Sequence, residues 1–244
     1  CKRVSNLYVH LLLIYILMVP IASYVRPDMY PGSLSVFLKN VTSWQCSYIG
    51  EQWFFFPYII LMIASKWIFV IFDKLKWFSL IGILVIVWMG TVYILKHFNG
   101  DTLSSNMLFY NIFLAVFMLP SFTLGYMANR FLWVNKIKVL FTRCKKGMIL
   151  LPIILLVASY FAITFVLLFA QIPIGRNTGK VLTYLGKHSM NMWLIHTWFS
   201  TRLFHGFFFD QLKYPVLIYV TLLAISLAVS NLVELMYKPL SGFV

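Results

Sequence analysis

The chain has 244 residues, 61% apolar and only 11% charged, with a mean hydropathy of +0.87. Soluble domains run at roughly 45–50% apolar and about 25% charged, so a soluble enzyme, a disordered chain and a collagen-like fibre are excluded, and three cysteines are too few for a disulfide scaffold. The net charge of +14 reads as basic cytoplasmic flanks of an integral membrane protein and not as nucleic-acid binding, because no basic stretch comes with the solvated surface that such a site needs.

The chain opens on Cys1, which points to an internal start, with an N-terminal part missing. Runs of about 17–25 apolar residues are read as membrane helices. The first runs from Leu7 to Val25. The segment Arg26 to Gln52, with Pro27, Pro31, Gly32 and Gly50, reads as an extramembrane excursion. The second span is Trp53 to Phe72, in which Lys66 either snorkels or marks the end of a shorter helix. The third is Trp77 to Leu95 and the fourth Leu108 to Met127. The fifth, Met148 to Ile174, is free of charge. The sixth, Ser189 to Phe209, is the most polar, and the seventh is Pro215 to Tyr237. The fold expected is all-α: a polytopic membrane helix bundle with six or seven transmembrane helices, forming a single membrane domain over residues 1–244.

The segment Asn129–Gly147 carries Arg130, Lys136, Lys138, Arg143, Lys145 and Lys146, six positive charges and no negative one in nineteen residues. The positive-inside rule places it in the cytoplasm. Alternation then puts Lys2, Arg3, Lys74 and Lys76 on the same side. Lys187 fits poorly on the outside, which leaves room for a miscounted span.

Phosphate-binding loops, dinucleotide fingerprints, HExxH and CxxC are absent from the sequence. Cys1, Cys46 and Cys144 are too dispersed for a metal cluster, and the six acidic residues do not pair. No metal and no cofactor are expected. On the sixth span, Ser189, Trp193, His196 and Ser200 share one helical face. Two readings of His196 stand: it lines a substrate cavity, or it hydrogen-bonds a neighbouring helix, with Ser226 or Ser230 as partner. Lys187 and His188 read as interfacial caps of that span. Ser226, Ser230 and Glu234 form one polar stripe on the seventh span, of the kind that mediates helix packing, with Glu234 near the interface. Glu51-Gln52-Trp53 reads either as an interfacial flank of the second span or as a cavity mouth.

Three stretches resemble the acyltransferase 3 family of bacterial membrane acyltransferases. They are Glu51-Gln52-Trp53-Phe54-Phe55-Phe56-Pro57, then Leu119 to Arg130 with its Phe122-Thr123-Leu124-Gly125-Tyr126 core, then Tyr184 to His196 with Leu185-Gly186-Lys187-His188-Ser189. The likeness covers roughly Trp53 to Pro239. It implies the C-terminal two-thirds of a domain of about ten helices in the bacterial cytoplasmic (inner) membrane. It also implies transfer of an acetyl or other short acyl group from acyl-CoA to a hydroxyl of a cell-surface glycan or lipid-linked glycan. The family's catalytic Arg and His, about ten residues apart on a first helix, find no counterpart here: Arg3 precedes His10 by seven residues, so the pair is expected outside this chain. Glu51, Trp53, Ser189 and His196 are the candidate substrate-lining residues. Arg130, Lys136 and Lys138 are the candidate basic residues facing the acyl-CoA. Because the catalytic His is expected elsewhere, the packing reading of His196 is preferred. A transporter or flippase for a lipid-linked sugar, or a non-enzymatic membrane component of a polysaccharide assembly system, is the alternative.

Overall fold

The computed structural model describes residues 2–98, 104–133, 135, 136, 139 and 174–242. Among these, every regular element is helical: α1 (Lys2–Val25), α2 (Leu34–Val41), a 3₁₀ turn (Gly50–Phe54), α3 (Phe55–Asp73), α4 (Trp77–His97), α5 (Met107–Arg130), α6 (Arg176–Thr197) and α7 (Pro215–Tyr237). Five segments are long and apolar enough to cross a membrane: Lys2–Val25, Gly50–Asp73, Trp77–His97, Met107–Arg130 and Pro215–Tyr237. The protein is therefore a multi-pass helical membrane protein. The expected fifth span, Met148 to Ile174, lies outside the described residues but for its last position.

Five of the seven expected spans keep their place, and the sixth is redrawn. It was expected to start at Ser189, but α6 starts at Arg176 and ends at Thr197, followed by two short π-helical turns, Trp198–Leu203 and Phe207–Gln211. The reason is physical. A run of apolar residues detects a helix that faces lipid, whereas α6 is held to α7 by polar side chains. Tyr184 Oη donates to Asn231 Oδ1 at 2.9 Å, His188 Nδ1 lies 2.9 Å from Ser230 Oγ, and Lys187 Nζ lies 3.5 Å from Glu234 Oε2. Residues that satisfy one another across a helix interface need not be apolar, so the helix continues where the apolar run has stopped. Lys187 and His188 sit well inside α6 and not at its cap.

The segment between α1 and α3, expected as an extramembrane excursion, folds back on α1. Tyr8 Oη donates to Thr42 O at 2.9 Å, and Tyr8 lies 17 residues before the α1 terminus at Val25. At 1.5 Å per residue the segment has folded back along α1 by about 25 Å. Non-helical backbone at that depth is tolerable only if buried in protein with its polar groups satisfied. Asn40, Ser43 and Gln52 are all buried. Gln52 accepts from the Tyr15 hydroxyl, and its Nε2 donates to Asn40 O at 2.6 Å and to Ser43 Oγ at 2.7 Å. Asn40 donates to Ser47 Oγ at 2.8 Å and accepts from the Tyr48 amide at 2.9 Å. Ser43 occupies the left-handed region at φ +59°, a conformation that costs a non-glycine residue energy and persists only where its surroundings impose it. Tyr30, Tyr48 and Trp198, each at most 2% exposed, form one aromatic cluster with Tyr15, in which contacting ring centroids lie 5.1–6.3 Å apart. Burial pushes the Tyr30 and Tyr48 phenols up from their ordinary range, so both remain donors, to Tyr48 O and Pro31 O respectively.

The other half of the molecule is the α3–α4–α5 group. Phe69 of α3 stacks on Tyr126 of α5 at 4.0 Å, and Phe72, Leu80, Leu84 and Met127 form its buried centre. Trp44 O accepts from Asn111 at one end of α5, and Asp73 meets Tyr126 and Arg130 at the other. Since Trp44 also packs on Phe56 at 5.2 Å, α3 and α5, which pack directly on one another, run parallel, and α4 returns along α5.

Candidate functional site

The site grows from the helices that meet at α1, α6 and α7. His10 of α1 lies over the Tyr237 ring of α7 at 4.3 Å. Asn191 of α6 is a hydrogen-bond neighbour of its ring, and the charges of Glu234 and Lys187 act on it electrostatically. Its Nδ1 is buried and has no hydrogen-bond partner, and the same holds for Asn6 Oδ1 one helical turn earlier and for Ser226 Oγ on α7. One turn further along α6, His188 is 2% exposed and paired with Ser230, itself fully buried. Two histidines, two amides, an ion pair and two serines thus form one polar seam through an apolar bundle.

Helical periodicity explains the seam. Residues 184, 187, 188 and 191 of α6 are spaced by three and four, and so are 226, 230 and 234 of α7, so each set lies on one face. The expected α7 stripe is present. Its partners are His188 and Lys187, not His196. Glu234 has a side chain 23% exposed, so it is a half-buried member of the seam and not a surface flank. A buried polar atom without a partner costs roughly 1–3 kcal/mol, so the seam holds unspent hydrogen-bonding capacity.

The residues singled out from sequence are not brought together. Ser189 is exposed and donates to Gly186 O at 2.8 Å. His196 is half-buried, with Nδ1 2.7 Å from Trp193 O; Ser230 pairs instead with His188, and Ser226 Oγ has no partner. Of their shared face, Trp193 is exposed and packs on Phe54 at 4.9 Å, while Ser200 is buried. The buried face of α6 is the adjacent one, through His188, Asn191, Leu194 and Ile195, continued by Trp198 just beyond its end. Glu51 is half-buried, and its Oε2 is buried without a partner. Trp53 lines a cavity formed with Trp44 and Asn111. Arg130 is committed to the α3 terminus: it pairs with Asp73 at 3.0 Å and donates to Phe72 O and Asp73 O, both at 3.3 Å. Lys136 is exposed; Lys138 lies outside the described residues. Among the described residues no cluster of His, Cys, Asp or Glu could hold a metal ion.

From sequence alone the spacing of His10 from Arg3 does not fit the family pattern, and His188 reads as a cap. The signal that would have found both was the α7 stripe of Ser226, Ser230 and Glu234, which needs a polar partner face on a neighbouring helix. No family model, curated protein or solved structure matches the chain.

Proposed function

We propose that this chain is part of a membrane O-acyltransferase of the bacterial cytoplasmic membrane, which moves an acetyl or other short acyl group from acyl-CoA to a hydroxyl of a cell-surface glycan. The observation that supports it best is His10: an imidazole whose Nδ1 is buried without a partner, whose ring has Asn191 as a hydrogen-bond neighbour and feels the charges of Glu234 and Lys187. Acyl transfer to a sugar needs a base to take the hydroxyl proton as the oxygen attacks the thioester carbon. It also needs donors for the oxyanion that forms before the C–S bond breaks and CoA leaves as its thiol. In this reading His10 is the proton acceptor this chain offers, and the Asn191 amide and the Lys187 ammonium are its candidate donors. The exposed Lys136 and the basic stretch after Arg130 would attract the CoA phosphates. The three stretches that resemble acyltransferase 3 proteins add to this, since Lys187, His188 and Asn191 all fall inside the third.

The test is surface-glycan acetylation in cells that carry the intact gene, lack it, or carry His10→Ala. We expect acetyl esters on the glycan to disappear with the gene. With His10→Ala they should fall by about 10²–10⁴-fold, the usual worth of a general base, at near-normal membrane abundance. Unchanged acetylation in the deletion refutes the reading. Normal acetylation with His10→Ala removes His10 from it.

A further inference from the structure

We propose that the cavity between the folded-back segment and α5 binds an uncharged sugar ring. The proposal rests on the glycan-acceptor reading above and adds to it a substrate class and a place. The cavity holds about 350 Å³, at the lower end of the roughly 300–1,000 Å³ of small-molecule sites. Trp44, Trp53 and Tyr110 give it aromatic walls, and Gln45, Ser47 and Asn111 give it amide and hydroxyl groups. A pyranose matches that division, with C–H faces that lie against aromatic rings and a rim of hydroxyls that both donate and accept.

The lining also says what does not belong. Among the described residues no Asp, Glu, Lys, Arg or His lines the cavity. A sugar acid or sugar phosphate would give up the hydration of its charge and meet no counter-charge, a heavy penalty. A neutral sugar gives up only hydroxyl hydration, which amides replace.

The site is built, not a surface dimple. Asn111 is 3% exposed, and its Nδ2 donates to Trp44 O at 3.3 Å and to Met107 O at 2.9 Å. With both N–H groups engaged, its Oδ1 is the atom left to accept from a sugar hydroxyl. The Trp44 ring is fixed edge-on against Phe56 at 5.2 Å. Trp53 is 38% exposed and offers an open face. The next two residues in the chain turn the other way: Phe54 packs on Trp193 of α6 at 4.9 Å, and Phe55 on Tyr8 of α1 at 6.1 Å. One 3₁₀ turn therefore ties the cavity to the two helices that carry Asn191 and His10.

The experiment is saturation-transfer NMR on the purified full chain in nanodiscs, with methyl glucoside, methyl galactoside and methyl glucuronide as probes. We expect transfer to the C–H protons of the two neutral glycosides and little to the glucuronide. Trp53→Ala should weaken glycoside binding about threefold to tenfold, the worth of one aromatic contact, while Trp53→Phe retains most of it. Trp67→Ala, on an exposed part of α3, should change nothing. Because Asn111→Ala also unties the Trp44 carbonyl, Gln45→Ala serves as the second cavity variant. No binding of any glycoside, equal binding of the glucuronide, or full binding by Trp53→Ala overturns the proposal. Glycoside binding by a protein whose deletion leaves glycan acetylation intact keeps the sugar site and removes the acyl transfer. Acetylation that persists in Trp53→Ala at an unchanged KM for the acceptor does the reverse.

Discussion

The polar knot around Gln52 is the feature of this fold whose energetics can be worked out from the contacts. Gln52→Met keeps the length of the side chain and removes its three hydrogen bonds, to the Tyr15 hydroxyl, Asn40 O and Ser43 Oγ. At about 1 kcal/mol net per bond the loss is about 3 kcal/mol. Since about 1.4 kcal/mol is a factor of ten, the equilibrium between the docked and undocked segment shifts by about 150-fold. Undocking frees the segment locally without unfolding the bundle, so the readout is hydrogen exchange on a peptide spanning Asn40 to Tyr48. The Tyr48 amide, which donates to Asn40 Oδ1 at 2.9 Å, should exchange about a hundredfold faster in the variant. Tyr15→Phe removes one of the three bonds and should speed exchange about fivefold. Shared partners make the two changes non-additive in the double variant. Exchange within threefold of wild type in Gln52→Met would mean that the segment is held by its aromatic packing and not by the amide.

Ser230→Ala should strand His188 Nδ1 and lower the thermal midpoint in detergent, by a loss of about 1–3 kcal/mol, and Ser230→Asn should restore part of it. Asp73→Asn should cost under about 1 kcal/mol, because both members of the Arg130 pair are partly exposed and the two carbonyl bonds of Arg130 survive; a larger fall in midpoint would show the pair to be the main tie between α3 and α5. Burial pushes the Cys46 thiol up to about 12. The reactive thiolate is depleted below that pH, so iodoacetamide should modify Cys46 about a thousandfold more slowly at pH 8 than a free cysteine of ordinary pKa, with the rate rising about tenfold per pH unit. Mass analysis of the Cys46 peptide gives the rate, and labelling at the free-thiol rate would refute the burial.

What the sequence made legible was the lipid-facing part of the molecule. α1, α3, α4, α5 and α7 each carry a window long and apolar enough to cross a membrane, and most of that window is exposed. The segments that build the candidate sites left a weaker trace. α6 carries Arg176, Lys180, Lys187 and His188, and an apolar-run criterion rejects the helix whose polarity is matched by α7. The return of residues 26–49 along α1 depends on contacts such as Tyr8 with Thr42 and Tyr15 with Gln52, 34 and 37 residues apart. Pairings at that separation have no local signature. His196 drew attention because its face held Ser189 and Trp193, but position on a helix gives a face without saying which face is inward. The buried face was fixed by α7, one helix away.

The two polar regions differ in a way that separates holding from acting. In the Gln52 knot the acceptor and the donor of the amide are both used, and Asn40 likewise both donates and accepts. A closed network in a low dielectric rigidifies its surroundings, and a small molecule gains little by entering it. In the seam between α1, α6 and α7, His10 Nδ1, Asn6 Oδ1 and Ser226 Oγ are buried without partners. Each such atom is costly, and a hydroxyl that enters the seam recovers part of that cost by bonding to it. Under the proposed acyl transfer, binding energy of that kind would be directed at the atom proposed to take the proton. The turn Gly50–Phe54 stands between the two regions: Gln52 anchors it in the closed network, Trp53 opens to the cavity, and Phe54 and Phe55 press on the helices of the seam. Loosening the anchor should therefore reach the seam through Phe54 and Phe55, so Gln52→Met should depress turnover as well as docking, whereas Asp73→Asn, at the far end of α3, should leave turnover unchanged.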